Sequence, residues 1–193
     1  VFRMFLQLCA GRTGQLLNLT ALGNECGISQ PMVKAWISIL QATYIIFLLE
    51  PFHQNFNKRI VKMPKLYFYD TGLACNLLRI ESITQLGTHY LRGGLFESMV
   101  ISDFFKNSYN KKCNPHIYFW RDKTGHEIDC IIEREGKAYP IEIKIGKTIH
   151  YDFFKGLTFW NELAKADPNN VYLVYSGDEN QKRSVGNVLS WKD

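Results

Sequence analysis

Three short strand-like runs constrain the fold of this chain more than any other feature. The runs lie close together in the second half of the sequence, at residues 117–121, 127–133 and 138–145. The segments between them, 122–125 and 134–137, contain the glycine and polar residues that favour tight turns. This pattern predicts an antiparallel meander of three strands.

The patterns around the meander predict helices and one further buried strand. Residues 65–78, KLYFYDTGLACNLL, read as a short strand that runs into a helix, and residues 93–109 read as a helix with an apolar stripe. A helix over 153–163 precedes the apolar run VYLVY, which is typical of a strand buried on both faces. Together these elements predict an α/β (α+β) chain with a mixed sheet covered by helices.

Residues 18–40, NLTALGNECGISQPMVKAWISIL, have the pattern of a helix-turn-helix. Leu22 and Cys26 fit a short helix, Gly27 is placed to end it, and Ser29 can cap the next helix. Apolar residues then recur at helical spacing and are expected to face a core: Val33, Trp36, Ile37 and Leu40.

Basic residues are concentrated in the same part of the chain. Residues 1–65 hold seven Lys and Arg against two acids, so the whole net charge of +5 belongs to this third. A hairpin with a basic tip, formed by the runs 44–50 and 59–63, is expected to follow the second helix. A winged helix of this kind can contact DNA or dock a protein, and the sequence leaves both interpretations open. The residues expected to contact nucleic acid are Gln30, Lys34, Lys58 and Arg59.

Charged residues interrupt the apolar runs of the meander. Because side chains alternate along a strand, Glu142 and Lys144 share one face, and the hairpin can bring Asp129 beside Glu142. Two carboxylates so placed can share a divalent metal, and an ammonium group beside them can stabilise charge on a phosphate. The alternative is a surface ion pair, worth at most ~1 kcal/mol.

A glutamate on the preceding helix, Glu97, extends this set. Together with Asp129 and the triplet Glu142-Ile143-Lys144, it resembles the D…E-x-K core of the PD-(D/E)xK phosphodiesterase superfamily, many members of which carry a helical glutamate. The resemblance implies that Asp129 and Glu142 hold Mg²⁺ or Mn²⁺ if the site is active. It also implies that Glu97 adds or orients a ligand, and that Lys144 positions water or stabilises developing charge.

The order of five segments resembles the C-terminal region of a large prokaryotic AAA+-type ATPase family. In that family a winged helix and a nuclease-like domain of unassigned role follow the ATPase core. The resemblance implies a winged helix-turn-helix over residues 1–65, a PD-(D/E)xK-like domain over 66–193, and the upstream ATPase domain of the parent chain as a partner. The segments are FRMFLQLCAGRTGQLLN, KLYFYDTGLACNLL, GGLFESMV, YFWRDKTGHEIDCII and YPIEIKIGKT.

Two functions of different classes follow from these patterns. The sequence favours a non-catalytic module that binds nucleic acid or a protein partner, because no full set of phosphate-binding cations is evident around residues 117–147. The alternative is a metal-dependent nuclease that cleaves DNA or RNA, so enzymatic activity stays open. Its catalytic residues would be Glu97, Asp129, Glu142 and Lys144.

Several features narrow the remaining possibilities. Gly146-Lys147-Thr148 matches the end of a phosphate-binding loop, but Ile141 stands where that motif requires glycine, so we expect no ATP binding by this chain. The five cysteines are scattered and form no C-x-x-C pair, which argues against disulfides and zinc.

With no apolar run near the ~20 residues of a membrane helix and no signal peptide, we expect a cytoplasmic protein with no membrane partner. A first residue other than Met predicts a piece of a longer protein.

Overall fold

The computed structural model describes residues 1–53 and 60–192, and the chain divides into two compact units. The sequence predicted consecutive domains, 1–65 and 66–193, but the structure assigns the segments differently. The first unit is Val1–Leu49 with Met63–Asp103, and the second is Glu50–Lys62 with Phe104–Asp193. The reason is visible in the cores, because Phe52 is buried in the second core while Leu66 and Phe68 are buried in the first.

The first unit is mainly helical and contains a small sheet. Its three short strands are hydrogen-bonded in the order β1-β3-β2, and both pairings are antiparallel. Its elements, together with the helix α6 that ends in the second unit, are α1 (Phe2–Ala10), β1 (Gln15–Leu16), α2 (Leu19–Cys26), α3 (Gln30–Ala42), β2 (Ile46–Leu49), β3 (Lys65–Phe68), α4 (Thr71–Leu77), α5 (Ile83–Thr88) and α6 (Arg92–Asn110).

The predicted pair of helices around Gly27 is present as α2 and α3. Asn18 caps α2 by accepting a hydrogen bond from the Ala21 N–H at 3.0 Å, and Gly27 ends it with a φ of 66°, in the left-handed region that glycine adopts without strain. Ser29 stands at the N-cap position of α3, as expected, but its side chain makes no capping hydrogen bond there. The core side of the helix pair holds the buried residues Leu22, Cys26, Val33, Ile37 and Leu40.

The hairpin predicted after α3 forms with a different partner. Strand β2 pairs with β3 rather than with residues 59–63, since β3 offers four buried residues in register with β2. The segment after β2 lies in the second unit, where the Phe52 N–H donates to the carbonyl oxygen of Phe119 at 2.6 Å and Ile60 forms an antiparallel bridge with Asp122. Lys58 and Arg59 lie outside the described residues.

The second unit is built on a six-stranded mixed sheet in the order β4-β5-β6-β7-β9-β8. The predicted meander is confirmed, because β4, β5 and β6 pair antiparallel with bounds within one residue of those expected. Strand β7 pairs parallel with both β6 and β9, which makes the sheet mixed. The elements are β4 (Ile117–Arg121), β5 (Glu127–Arg134), β6 (Lys137–Lys144), α7 (Lys155–Ala164), β7 (Tyr172–Tyr175), β8 (Gln181–Lys182) and β9 (Asn187–Ser190).

Helix α7 covers the sheet of the second unit. Its residues Leu157 and Trp160 pack with Ile131, Leu173 and Val188 in one apolar cluster. Trp160 stacks edge-on against Trp120, with ring centroids 5.5 Å apart. The helix thus covers the sheet face to which Glu142 belongs, since Glu142 is the register partner of Leu173 on β7.

None of the helices in the described part of the chain combines the length and the apolar character that a membrane crossing requires.

Candidate functional site

The adjacent strands β5 and β6 bring together three of the four residues proposed from the sequence as catalytic. The last backbone pair between these strands is Cys130 with Ile141, so Asp129 and Glu142 follow at the next position of each strand. The pairing of β4 with β5 shifts just here, between the partners Ile128 and Ile131. Irregularities of this kind re-aim side chains beside functional sites.

Lys144 connects the two carboxylates. Its Nζ lies 2.8 Å from Oδ2 of Asp129 and also contacts Oε2 of Glu142. The backbone N–H of Ile143 donates a second hydrogen bond to Asp129 Oδ2 at 2.9 Å, so this carboxylate takes the place of a backbone acceptor where the ladder ends. The cluster is therefore held by both side-chain and main-chain contacts. We define the Asp129–Glu142–Lys144 cluster by these three residues.

The cluster is largely withdrawn from water. Only 4% of the Glu142 side chain and 13% of the Asp129 side chain are exposed, whereas Lys144 keeps 32%. The exposed part of the Lys144 side chain gives the cluster one side that is open to solvent. A substrate could approach from that side without unfolding the sheet.

Burial and charge perturb the ionisation of the cluster. Burial, and then the Asp129 carboxylate, raise the pKa of Glu142 well above its ordinary value, although Lys144 opposes this. Burial alone would lower the pKa of Lys144, but Asp129 and Glu142 raise it overall. Such opposed perturbations within one cluster are typical of functional sites and also occur in structural ion pairs.

Helix α7 fits closely over Glu142 because of a glycine in its first turn. A Cβ atom on Gly156 would collide with Oε1 of Glu142 and would lie 2.7 Å from the carbonyl oxygen of Glu127. A residue with any side chain at this position would have to displace the carboxylate. The sequence analysis did not identify Gly156, and only knowledge of the packing could have done so.

Glu97, the fourth residue proposed from the sequence, lies on α6 within the first unit. Its Oε1 is 3.0 Å from Nζ of Lys65 and accepts a hydrogen bond from the Tyr67 hydroxyl. Both partners are buried on β3, and the sequence analysis missed them. The available signal was the alternation of Lys65 and Tyr67 on one face of an otherwise apolar strand.

A histidine that the sequence places near Asp129 belongs to a structured turn. His126 Nδ1 lies 3.2 Å from Oδ2 of the buried Asp122, and its ring stacks on Phe159 with centroids 3.7 Å apart. Asp122 also accepts hydrogen bonds from the backbone N–H groups of Thr124 and His126. The Thr124 hydroxyl donates a further hydrogen bond to the Asp122 carboxylate. Burial raises the pKa of Asp122, but the hydrogen bonds from Thr124 and His126 lower it overall.

The residues proposed to contact nucleic acid are placed only in part. Gln30 and Lys34 are exposed on α3, as predicted, and Ser38 is exposed one turn after Lys34. The same helix also exposes Met32 and Ile39, at 45% and 53%, on a different side from Gln30 and Lys34. Lys58 and Arg59 lie outside the described residues, and their assignment stays a prediction.

The Asp129–Glu142–Lys144 cluster fits a hard divalent cation better than zinc. Within residues 1–53 and 60–192, no group of three or more His, Cys, Asp and Glu side chains is placed to hold a metal. Two adjacent carboxylates nevertheless suit Mg²⁺, which binds through one or two carboxylates and completes its shell with water and substrate phosphate. Asp129 and Glu142 are the two carboxylates that such an ion would use.

Comparison with known families assigns the second half of the chain. Residues 92–193 match the domain of unknown function DUF4143, so the chain belongs to this family. Residues 1–84 match a second domain of unknown function, DUF8612.

Two mycobacterial proteins are similar to the chain over most of its length. They are the uncharacterized proteins Mb2031c of Mycobacterium bovis and Rv2008c of Mycobacterium tuberculosis. Each is 29% identical over 131 residues, which make up 68% of this chain and 29% of the relative. The chain thus spans less than a third of the length of these relatives. No solved structure shows a significant match.

Proposed function

We propose that the second unit carries a metal-dependent phosphodiesterase site of the PD-(D/E)xK kind that cleaves DNA or RNA. The observation that carries the proposal is the convergence of Asp129, Glu142 and Lys144 at the point where β5 and β6 separate. The order carboxylate, carboxylate and lysine matches the resemblance drawn from the sequence. Glu97, which pairs with Lys65 in the first unit, is left out of this site, and its role as a ligand stays a prediction from the sequence.

The energetic cost of the cluster supports a functional role. Two neighbouring carboxyl groups in a buried strand pair repel each other and lose hydration, and one lysine offsets this only in part. Replacing such buried ion clusters by apolar residues often stabilises a protein by roughly 1–4 kcal/mol. A fold that needed only a covered sheet would be expected to carry apolar residues at Asp129 and Glu142.

In the proposed site, Asp129 and Glu142 would hold Mg²⁺ or Mn²⁺. When bound, such an ion polarises a phosphoryl oxygen and lowers the pKa of a bound water. Glu142 must lose its proton to bind a cation, so its raised pKa links metal affinity to pH. Lys144 contacts both carboxylates and keeps an exposed side, so it can donate hydrogen bonds to charge that develops on a phosphate.

Cleavage assays with two variants test the proposal. We expect Mg²⁺ or Mn²⁺ to support cleavage of DNA or RNA by the 193-residue chain, and Lys144→Met to abolish it while metal binding is retained. The reason is that the ammonium acts on charge present mainly in the transition state. Glu142→Gln is expected to lose metal affinity and cleavage together. Cleavage that survives both substitutions would reject the assignment and indicate a contaminant or another site.

A non-catalytic binding module is the second candidate. It is favoured by the exposed face of α3, where the order α2, turn, α3 and then antiparallel β2 and β3 supports a winged helix-turn-helix. In this interpretation the chain is the C-terminal part of an AAA+-type ATPase and binds nucleic acid or a protein for it. The exposed Met32 and Ile39 of α3 suit protein docking, and the exposed Lys34 suits DNA.

The salt dependence of DNA binding separates these partners. If Lys34, Lys58, Arg59 and one more cation contact phosphates, the logarithm of duplex affinity should fall against the logarithm of salt concentration with a slope of about −3.6. Lys34→Gln should reduce that slope by about 0.9. Affinity that does not change with salt would favour protein docking.

A further inference from the structure

The parallel strands β6 and β7 end side by side, beside the Asp129–Glu142–Lys144 cluster. In open sheets with parallel strands, ligands bind in the crevice outside the carboxyl ends of the strands. Lys144 is the last residue of β6, and its register partner is Tyr175, the last residue of β7. The loops that follow the two strands therefore leave the sheet at the same edge.

A cavity of about 470 Å³ lies between these loops, entirely within the second unit. Tyr175 is one of its lining residues. The backbone of Tyr175 lies one strand spacing, ~4.8 Å, from the backbone of Lys144. The two loops are joined by a hydrogen bond from the Gly146 N–H to Oγ of Ser176 at 2.9 Å. The lining residues are Lys147, Thr148, Ile149, Tyr175, Gly177, Asp178, Glu179, Gln181 and Arg183.

The loop after β7 is held in place by Tyr175. The Tyr175 hydroxyl donates to the carbonyl oxygen of Glu179 at 2.8 Å and accepts from the N–H of the same residue at 3.1 Å. Tyr175 is itself 3% exposed and belongs to the apolar core. One wall of the cavity is therefore anchored in the folded sheet.

Two cations, Lys147 and Arg183, line the cavity, and the pKa of the Asp178 carboxyl is lowered first by Lys192 and then by Lys147. Within the described residues Lys147 forms no ion pair, and Arg183 is oriented by the side-chain oxygen of Gln181, at 2.6 Å from Nη2. Of the two acids on the lining, Asp178 is paired with Lys192 at 2.6 Å. The lining thus holds two cations and two carboxylates, and Lys192, which pairs with Asp178 from outside the lining, adds a third cation. The Thr148 hydroxyl adds a neutral donor on the same loop as Lys147.

We propose that this cavity is a phosphate subsite that holds the backbone of a nucleic acid strand next to Lys144. Lys147 and Arg183 would contact one or two phosphates, and Thr148 would donate a hydrogen bond to a phosphate oxygen. The Gly146-Lys147-Thr148 segment then binds phosphate at a strand end without forming a nucleotide-binding loop. The subsite rests on the proposed function, since it assumes the phosphodiester substrate of that site.

Strand binding in the absence of metal tests the subsite separately from cleavage. The probe is a fluorescent single-stranded oligonucleotide, as DNA and as RNA of the same sequence, titrated with the 193-residue chain in EDTA at several salt concentrations. We expect the Lys147→Gln/Arg183→Gln variant to bind at least one of them about tenfold more weakly and to lose about 1.4 from the slope of log affinity against log salt, or ~0.7 per contact on a single strand. Binding by Lys137→Gln, which removes an exposed lysine at the opposite end of β6, should not change.

The outcomes separate the subsite from the metal site. If the double variant binds both strands as tightly as the original chain, or the original chain binds neither, the subsite is rejected, whatever the cleavage assay shows. If inorganic phosphate or ATP displaces the strand at concentrations equal to that of the oligonucleotide, the cavity takes small phosphates and the strand assignment is wrong. Circular dichroism of the double variant, whose changed residues are exposed, confirms that it is folded. Loss of strand binding with intact metal binding supports the subsite even if no cleavage is found.

Discussion

At the scale of single residues, Glu142 is the side chain that determines the properties of the candidate site. It is 3% exposed, faces Asp129 and Lys144, and lies under Gly156 of α7. A carboxyl group in this setting is held protonated over a wider pH range than one in water. Its protonation and the stability of the fold are therefore linked.

The stability of the protein should depend on pH through Glu142. Its pKa is higher in the folded than in the unfolded chain, so its protonated form contributes stability that is complete below the ordinary value of 4.5 and is lost as pH rises through the raised pKa. Glu142→Gln removes the titrating group but keeps its shape. We expect the variant to be more stable than the original chain at pH 8, by roughly 1 kcal/mol or more, and the difference to vanish below pH 4.5.

Urea unfolding at a series of pH values measures this difference. Glu81→Gln, which changes an exposed carboxylate of the first unit, is the matched control. A stability difference between Glu142→Gln and the original chain that stays constant from pH 4 to pH 8 would contradict the account of Glu142.

At the scale of elements, a buried ion pair ties strand β3 to helix α6. Lys65 is 3% exposed and lies 3.0 Å from Glu97, which the Tyr67 hydroxyl also contacts. Removing one partner of a buried pair leaves the other charge without compensation, which typically costs about 3–5 kcal/mol. We therefore expect Lys65→Met to lower the free energy of unfolding by about 3 kcal/mol.

A double-mutant cycle tests this link. Adding Glu97→Gln to Lys65→Met should recover part of the loss, because the second change removes the uncompensated charge. Lys155→Met, which breaks an exposed pair with Asp152, should leave stability nearly unchanged. Additive effects of Lys65→Met and Glu97→Gln would show that the two side chains do not depend on each other.

The elements also show which parts of the fold can be predicted from the sequence. The bounds of β4, β5 and β6 were predictable because three strand-like runs are separated by two glycine turns, which set an antiparallel register. That register brings Asp129 beside Glu142 without further information. The pairing of Lys65 with Glu97, 32 residues apart, was not predictable, since it depends on how α6 packs.

At the scale of the whole molecule, the chain passes through the second unit between two parts of the first. The sequence could not indicate this, because the apolar residues around Phe52 can pair with more than one strand. Phe52 is 7% exposed and packs against Trp160, with ring centroids 6.3 Å apart. Phe52 and, less deeply, Ile60 thus belong to the second core.

A fragment cut at the boundary expected from the sequence should be unstable. Residues 66–193 lack Phe52, and they include part of the first core without its partners. Losing a buried Phe alone costs about 3–5 kcal/mol, a large fraction of the stability of a domain. We expect thermal unfolding followed by circular dichroism to show no cooperative transition for this fragment. A transition at the temperature found for the 193-residue chain would contradict the division into interleaved units.

The central proposal is that Asp129 and Glu142 form a divalent metal site next to Lys144. Calorimetric titration of Mn²⁺ into the 193-residue chain at pH 8 measures it most directly. We expect one binding event in the original chain, its loss in Asp129→Ala, and its retention in Lys144→Met, where the ammonium no longer competes for the carboxylates. The absence of binding by the original chain, or equal binding by Asp129→Ala, would contradict the proposed site.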